Sequence, residues 1–254
     1  MILLGAAMPA AASPPSFSAA PASPRAAGLD SAAAGSGHHE LWLGVATVAL
    51  STVAVFNDGW ISDESMESSS AGLNRLSRAF EPAGNAAVVA PAILLVYGAA
   101  RMTGHDELAR AAQRVGASVV AAGIATFALK EAAGRERPRE SPGDADVFQP
   151  FSGHASFPSG HSAVAFTTAT AITRETHARW VPWAVYPAAA LVAWSRVHDQ
   201  EHWTSDVMVG AALGTWTSIK VDDLLRRRAA LRKPVSLRLS PARGGMTAGV
   251  AVQF

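Results

Sequence analysis

Apolar residues gather into six stretches along the chain: Leu41 to Phe56, Gly84 to Ala100, Val115 to Leu129, Ser162 to Thr173, Val181 to Ser195 and Val207 to Ile219. Most exceed the usual length of a strand, and none alternates with period two, so all six are predicted to be helices. None carries a clear polar stripe. A helix that is apolar all round sits in a large core or in lipid. A membrane span needs about 20 residues, so several of these runs reach that length only with their flanks. The predicted fold class is all-α: a six-helix bundle, read as transmembrane, with a soluble bundle as the alternative.

The intervening segments differ in character. Asn57 to Arg78 is polar, and Leu73 to Phe80 reads as a short amphipathic helix ending before Pro82. Residues 1–39 are rich in Ala, Pro and Ser and are expected to be disordered or signal-like, with Ala10-x-Ala12 as a candidate cleavage site. Residues 40–230 form the helical domain. In 231–254, Val235, Leu237 and Leu239 alternate with polar residues, as do Val250, Val252 and Phe254. With Pro241 to Gly245 as the turn, this tail is expected to be a small β-hairpin.

Composition narrows the classes. Of 254 residues, 49% are apolar and 16% charged, against about 25% charged in an average soluble domain. The chain is therefore too apolar for disorder throughout. A net charge of +1 argues against a nucleic-acid binder. The absence of cysteine excludes disulfides, thiolate metal sites and cysteine nucleophiles. A mean hydropathy of +0.17 lies between soluble and membrane values.

If the six helices are antiparallel neighbours, Arg110, Arg114, Arg174, Arg226, Arg227 and Arg228 fall among others on one side. The positive-inside rule makes that side cytoplasmic. Segments 57–83, 130–161 and 196–206 then share the outer side.

Three short segments on that outer side carry candidate chemistry. Lys130-x6-Arg137-Pro138 closes the third apolar stretch, where two cations could equally be interfacial residues. Pro158-Ser159-Gly160-His161 opens the fourth, and a turn before a helix leaves N–H groups free for an anion. Ser195-Arg196-x5-His202-x3-Asp206 joins the fifth and sixth, with His202 and Asp206 four residues apart and on one face if that helix starts early. A carboxylate on one imidazole nitrogen leaves the other free as base or nucleophile. Each segment alone has an ordinary structural explanation. Together they bring three cations, two histidines, a carboxylate and a helix start to one end, as a multiply charged oxyanion requires. No carboxylate cluster accompanies the histidines, so no metal site is read. Arg135 and Arg139 read as solvated loop charges. His154 and His198 are weaker site candidates, and His38, His39, His105 and His177 read as surface residues. Phe148, Phe151 and Phe157 suit a substrate entrance or loop packing. Trp180, Trp183 and Trp203 suit a membrane interface or ordinary packing.

In order and spacing these segments resemble the signature of the type 2 phosphatidic acid phosphatase and vanadium haloperoxidase superfamily. The motifs span 130–206, and the helical pattern extends the resemblance to roughly 40–220. The resemblance implies a metal-independent phosphatase acting on phosphomonoester or diphosphate groups of lipid phosphates, of the phosphatidate or polyprenyl diphosphate type. It makes His202 the nucleophile that forms a phosphohistidine, Asp206 its orienting carboxylate and His161 the general acid. Lys130, Arg137, Ser159, Gly160 and Arg196 would bind the phosphoryl oxygens. No cofactor is expected, vanadate would bind as a phosphate mimic, and no nucleic acid partner is implied. The expected location is the cell membrane with the site facing the periplasm or exterior. The alternatives are a soluble periplasmic or secreted acid phosphatase acting on small phosphate esters, a vanadate-dependent haloperoxidase, and a non-catalytic membrane protein with an anion pocket.

Overall fold

The computed structural model describes residues 54–176 and 178–231, together with the backbone of 235–242 and 245–252. The expectations for residues 1–39, for most of the first apolar stretch, and for His38, His39 and His177 lie outside the described residues. Seven α-helices occur among the described residues: α1 (54–67), α2 (Ala71–Phe80), α3 (Ala86–Met102), α4 (Asp106–Ala133), α5 (Gly160–Glu175), α6 (Val181–His198) and α7 (Thr204–Leu231). A 3-10 turn, Glu81–Gly84, joins α2 to α3. Strands β1 (Val235–Ala242) and β2 (Gly245–Val252) pair antiparallel with Ala242 opposite Gly245.

Local chemistry sets the helix ends. Ser70 caps α2, accepting from Leu73 N at 3.3 Å, and Asn85 caps α3, accepting from Ala87 N at 2.9 Å. Gly134 ends α4 in the left-handed region at φ +57°. A Cβ there would stand 1.8 Å from the Gln149 carbonyl oxygen, so glycine is required on both counts. Beyond it the chain folds back on itself. Gln149 N donates to Gly134 O at 2.9 Å, Glu136 N to Val147 O at 3.1 Å, and Ser156 N to Arg135 O at 2.9 Å.

Helices α4, α5 and α7 pack on one another, with α6 against α5 and α3 against α4. The interior is made of small side chains, including Ala122, Ala163, Ala169, Ala189 and Val192. Small residues let backbones approach closely. The closest approach joins α5 to α7, where a Cβ on Gly210 would lie 2.4 Å from Ser159 O and one on Gly214 2.2 Å from Ala163 O. Thr167 Oγ1 adds a hydrogen bond to Gly214 O at 3.1 Å.

Large apolar side chains point outward instead. Leu95 on α3 is 74% exposed and Phe127 on α4 65%, with Leu94, Val120 and Ile124 alongside. Among the described residues, α4 is the one helix long and apolar enough by itself to cross a membrane. The pair of α2 with its turn and α3, bent by 54°, passes the same test jointly. Helix α5, at 16 residues, is too short and is diluted by Thr and Ser, whereas α7 has the length, 28 residues, but acidic and basic residues fill its end. A cleft of about 1050 Å³ runs between α3, α4 and α5, lined by Val88, Ile93, Val96 and Val115. One end lies at Pro82 and Ala83, the other at Arg114 and Glu175. At that second end Asp222 accepts from Arg174 at 2.6 Å and Arg226 at 2.8 Å, and Glu175 pairs with Arg114.

Adding a methyl at the α5–α7 contact tests this packing. Gly214→Ala is expected to lower unfolding stability by about 2 kcal/mol or more, through overpacking against backbone. Gly123→Ala, which meets nothing within 4 Å, should be neutral or stabilising by up to about 1 kcal/mol. Thermal unfolding of both variants in detergent checks the contrast.

Candidate active site

Three helix ends converge at one end of the bundle. The C-terminus of α4 brings Lys130, the N-terminus of α5 brings Ser159, Gly160 and His161, and the turn from α6 into α7 brings Arg196, His202 and Asp206. Cross-chain contacts tie them. Ser159 N donates to Asp206 O at 3.0 Å. The Lys130 Cε would lie 3.8 Å from a Cβ on Gly160. His202 feels the charges of Asp206, Lys130 and Arg137, and His161 those of Arg196, Glu81 and Glu201.

Helix α7 begins at Thr204, so His202 precedes it rather than sharing a helical face with Asp206. Trp203 stands at the helix start, and Asp206, three residues on, reaches back to accept from Trp203 N at 2.9 Å. This is the carboxylate half of a capping box. The same geometry sets His202 Nδ1 3.7 Å from Asp206 Oδ2, within ion-pair range and beyond a hydrogen bond. His202 is buried, which pushes its pKa down to about 4 against the opposing pull of Asp206. The imidazole is therefore neutral at physiological pH, the form with a ring lone pair available for attack.

Asp206 is fully buried and saturated with donors. Ser156 Oγ donates to Oδ2 at 2.5 Å and Arg135 Nη1 to Oδ1 at 2.6 Å. Arg135 is thus no solvated loop charge: it is 1% exposed. Its Nη2 donates to Asp58 Oδ2 at 2.9 Å and to Ala145 O at 2.6 Å, and its Nη1 also reaches Ser205 Oγ at 2.7 Å. Its guanidinium carbon lies 5.0 Å from the Phe148 ring centroid and 5.4 Å from that of Trp203. Trp203 is buried, with its indole N–H donating to Glu136 O at 2.9 Å, so it is a packing residue of the site and not an interface anchor.

The remaining cations carry local partners. Lys130 Nζ donates to Ala155 O, Arg137 and Arg139 both pair with Glu201, and Arg196 pairs with Asp199. Ser159 is buried, and its hydroxyl caps α5, accepting from Ser162 N at 3.4 Å. His161 Nε2 stands 3.3 Å from Glu81 Oε1, and Arg196 Nη1 lies 4.0 Å from the same oxygen. His198 is buried near the site but turned from it, stacked on Trp194 and 2.7 Å from Asn74 Oδ1. His154 lies 3.5 Å from both Glu136 and Glu140. His105 stands at the N-cap position of α4 without a side-chain cap bond, its Nδ1 2.8 Å from Thr103 Oγ1. Phe148 packs edge-on to Phe157 with centroids 6.3 Å apart. Phe151 stays exposed. Among the described residues, no group of three His, Asp or Glu side chains is placed to hold a metal ion.

The stretch from residue 111 to residue 222 contains every one of the sequence-predicted site residues, and it matches a family model. The matching family is the PAP2 superfamily. Relatives of the chain include the lipid A 1-phosphatase of Rhizobium etli, 36% identical over 137 residues, covering 49% of this chain and 57% of that protein. The lipid A 1-phosphatase of Porphyromonas gingivalis is 44% identical over 61 residues, covering 23% of this chain and 14% of that protein. The chain thus spans no more than 57% of these curated relatives' length. A transmembrane PAP2-type phosphatidylglycerolphosphate phosphatase from Bacillus subtilis shares the fold, with a TM-score of 0.60 at 21% identity, covering 74% of this chain and 96% of that one. Asp58 and Glu81 lie outside the matched PAP2 stretch.

Removing the shared arginine should expose the cost of the carboxylates it joins. Arg135→Gln leaves Asp58 and Asp206 buried without their cation, and a loss of about 3–5 kcal/mol at pH 7 is expected. The loss should shrink towards pH 5, because one proton taken up by the pair of unbridged carboxylates relieves their mutual repulsion. Denaturant unfolding of the two proteins at both pH values measures it.

Proposed function

We propose that this PAP2 chain is a metal-independent phosphatase that hydrolyses phosphomonoester or diphosphate groups of lipid phosphates through a phosphohistidine. The observation that carries the proposal is the buried, neutral His202 with its Nδ1 towards Asp206, ringed by Lys130, Arg137 and the start of α5. In this reading His202 Nε2 attacks phosphorus, so a P–N bond forms as the P–O bond to the leaving group breaks. His161 gives its proton to the leaving oxygen. Water then attacks phosphorus, the P–N bond breaks, and His161 takes the water's proton. Lys130, Arg137, Arg196 and the Gly160 N–H hold the equatorial oxygens, where charge concentrates during transfer. The phosphoryl group draws the two guanidinium groups from Glu201 and Asp199. Ser159 contributes through the cap that presents the α5 N-terminus.

Two features favour a lipid over a soluble ester. The apolar side chains on the outer faces of α3 and α4 suit lipid contact. The cleft between α3, α4 and α5 starts at Pro82, next in sequence to the Glu81 that faces His161, and its middle, lined by Val88, Ile93, Val96 and Val115, is apolar, as an acyl or prenyl chain requires. The names of the curated relatives add lipid A to the candidate substrates. Membrane residence with the site on the periplasmic or outer side follows from the same reading, because the excess of basic residues lies at the opposite end.

Phosphate release from dioleoyl phosphatidate, undecaprenyl diphosphate, lipid A and p-nitrophenyl phosphate tests the reading. Release from at least one lipid phosphate should persist in EDTA, and orthovanadate should compete with it. His202→Ala should lower kcat by about a thousandfold or more. Turnover that requires added metal, or that survives His202→Ala, overturns the mechanism. Release from p-nitrophenyl phosphate alone, by protein freed from membranes by carbonate, favours the soluble alternative.

A further inference from the structure

Asp58 enters the site from α1, far from the PAP2 stretch in sequence, and is as buried as Asp206. It makes two kinds of contact there. Its Oδ1 accepts from Ser205 N at 2.9 Å, closing the first turn of α7 one residue before Asp206. Its Oδ2 accepts from Ser205 Oγ at 2.5 Å and from Arg135 Nη2 at 2.9 Å.

The formal charges around His202 make the second contact informative. Asp206 is paired with Arg135, and that pair sums to zero. Lys130 from α4 and Arg137 from the following loop also act on His202, and since Arg137 shares Glu201 with Arg139, these groups together remain net positive. A histidine attacking phosphorus develops positive charge on its ring, which such surroundings oppose. With Asp58 included, the buried triad of two carboxylates and one guanidinium carries one net negative charge. That charge sits behind the nitrogen that faces Asp206.

We infer that Asp58 is a positioning residue for His202: through Arg135 it restores the negative charge that the Asp206–Arg135 pair lacks, and through Ser205 it holds the turn that aims Asp206. This rests on His202 being the nucleophile. Asp58 touches neither His202 nor the phosphoryl group and acts only through its neighbours.

The test is a charge-restoring double variant, read on His202 itself. The full chain with 15N-labelled histidine is titrated by NMR in detergent micelles at and above pH 4.5, the His202 signal being identified by its loss in His202→Gln. In Asp58→Asn the triad is neutral, and the protonated fraction of His202 at pH 4.5 should fall several-fold, equivalent to roughly half to one unit. In Asp58→Asn/Arg135→Gln, Asp206 alone supplies the negative charge, and the fraction should return to the wild-type level. Asp58→Glu should resemble wild type. A merely structural role predicts the opposite sign, because a loosened site hydrates His202 and raises its protonation towards the value of a free imidazole. An unchanged or raised fraction in Asp58→Asn overturns the inference, as does a fall that the second substitution does not reverse. If Asp58→Asn does not fold, as judged by circular dichroism, the double variant decides: a wild-type fraction supports the inference and a raised one overturns it. In parallel, kcat for dioleoyl phosphatidate should drop about tenfold or more in Asp58→Asn with KM little changed. Absence of wild-type turnover would count against the proposed reaction and leave the NMR comparison to decide the role of Asp58.

Discussion

Asp58, Arg135 and Asp206 leave water together, and the end of the bundle that holds them is organised around that event. Desolvating a lone carboxylate or guanidinium costs several kcal/mol, so each of the three is tolerable only when the other two are in place. The guanidinium is the joint. It collects a helix at one end of the chain, the first turn of α7 at the other, and the Ala145 carbonyl of the loop between, with Phe148 and Trp203 against its faces. The Arg135–Asp58 and Arg135–Asp206 pairs bridge 77 and 71 residues of sequence. Such contacts give specificity of arrangement where side-chain volume gives little, because the surrounding core is built mostly of alanine, serine and valine.

That poverty of bulk is itself consistent with the packing. Gly210 and Gly214 let α7 lie almost on the backbone of α5. The two helices share their N-terminal end, and Ser159 N bonds to the Asp206 carbonyl there. The helix start proposed to face an anion and the carboxylate behind His202 are therefore fixed to each other by main chain, not by flexible side chains.

Much of this was legible in the sequence. The helical character of five of the six apolar stretches, the short helix before Pro82 and the gathering of Lys130, Gly160, His161, Arg196, His202 and Asp206 all follow from local periodicity and motif spacing. What periodicity could not show was the state of individual charges. In Gly134-Arg135-Glu136-Arg137-Pro138-Arg139 three arginines stand at alternating positions, and nothing local says which faces inward. Arg135 does so because Gly134 turns the chain back and brings Val147 and Gln149 alongside. Asp58 sits in a polar segment among Asp63, Glu64 and Glu67, and only the tertiary fold separates it from those exposed neighbours. The offset of His202 from α7 was likewise invisible, since it depends on Asp206 capping Trp203 rather than on spacing alone.

The bridging role of Arg135 bears on how this site could be exchanged between proteins. The stretch that carries the family pattern holds the proposed nucleophile, the proposed acid and the cations, while the second carboxylate of the buried triad is supplied from α1 and the partner of His161 from the turn before α3. A chimera that grafts residues 111–222 onto a different scaffold would import Arg135 without Asp58. In a host without a carboxylate in the place of Asp58, the transplanted segment would be fully recognisable yet electrostatically mismatched. In this protein the set of residues that completes the site is larger than the stretch its motifs span.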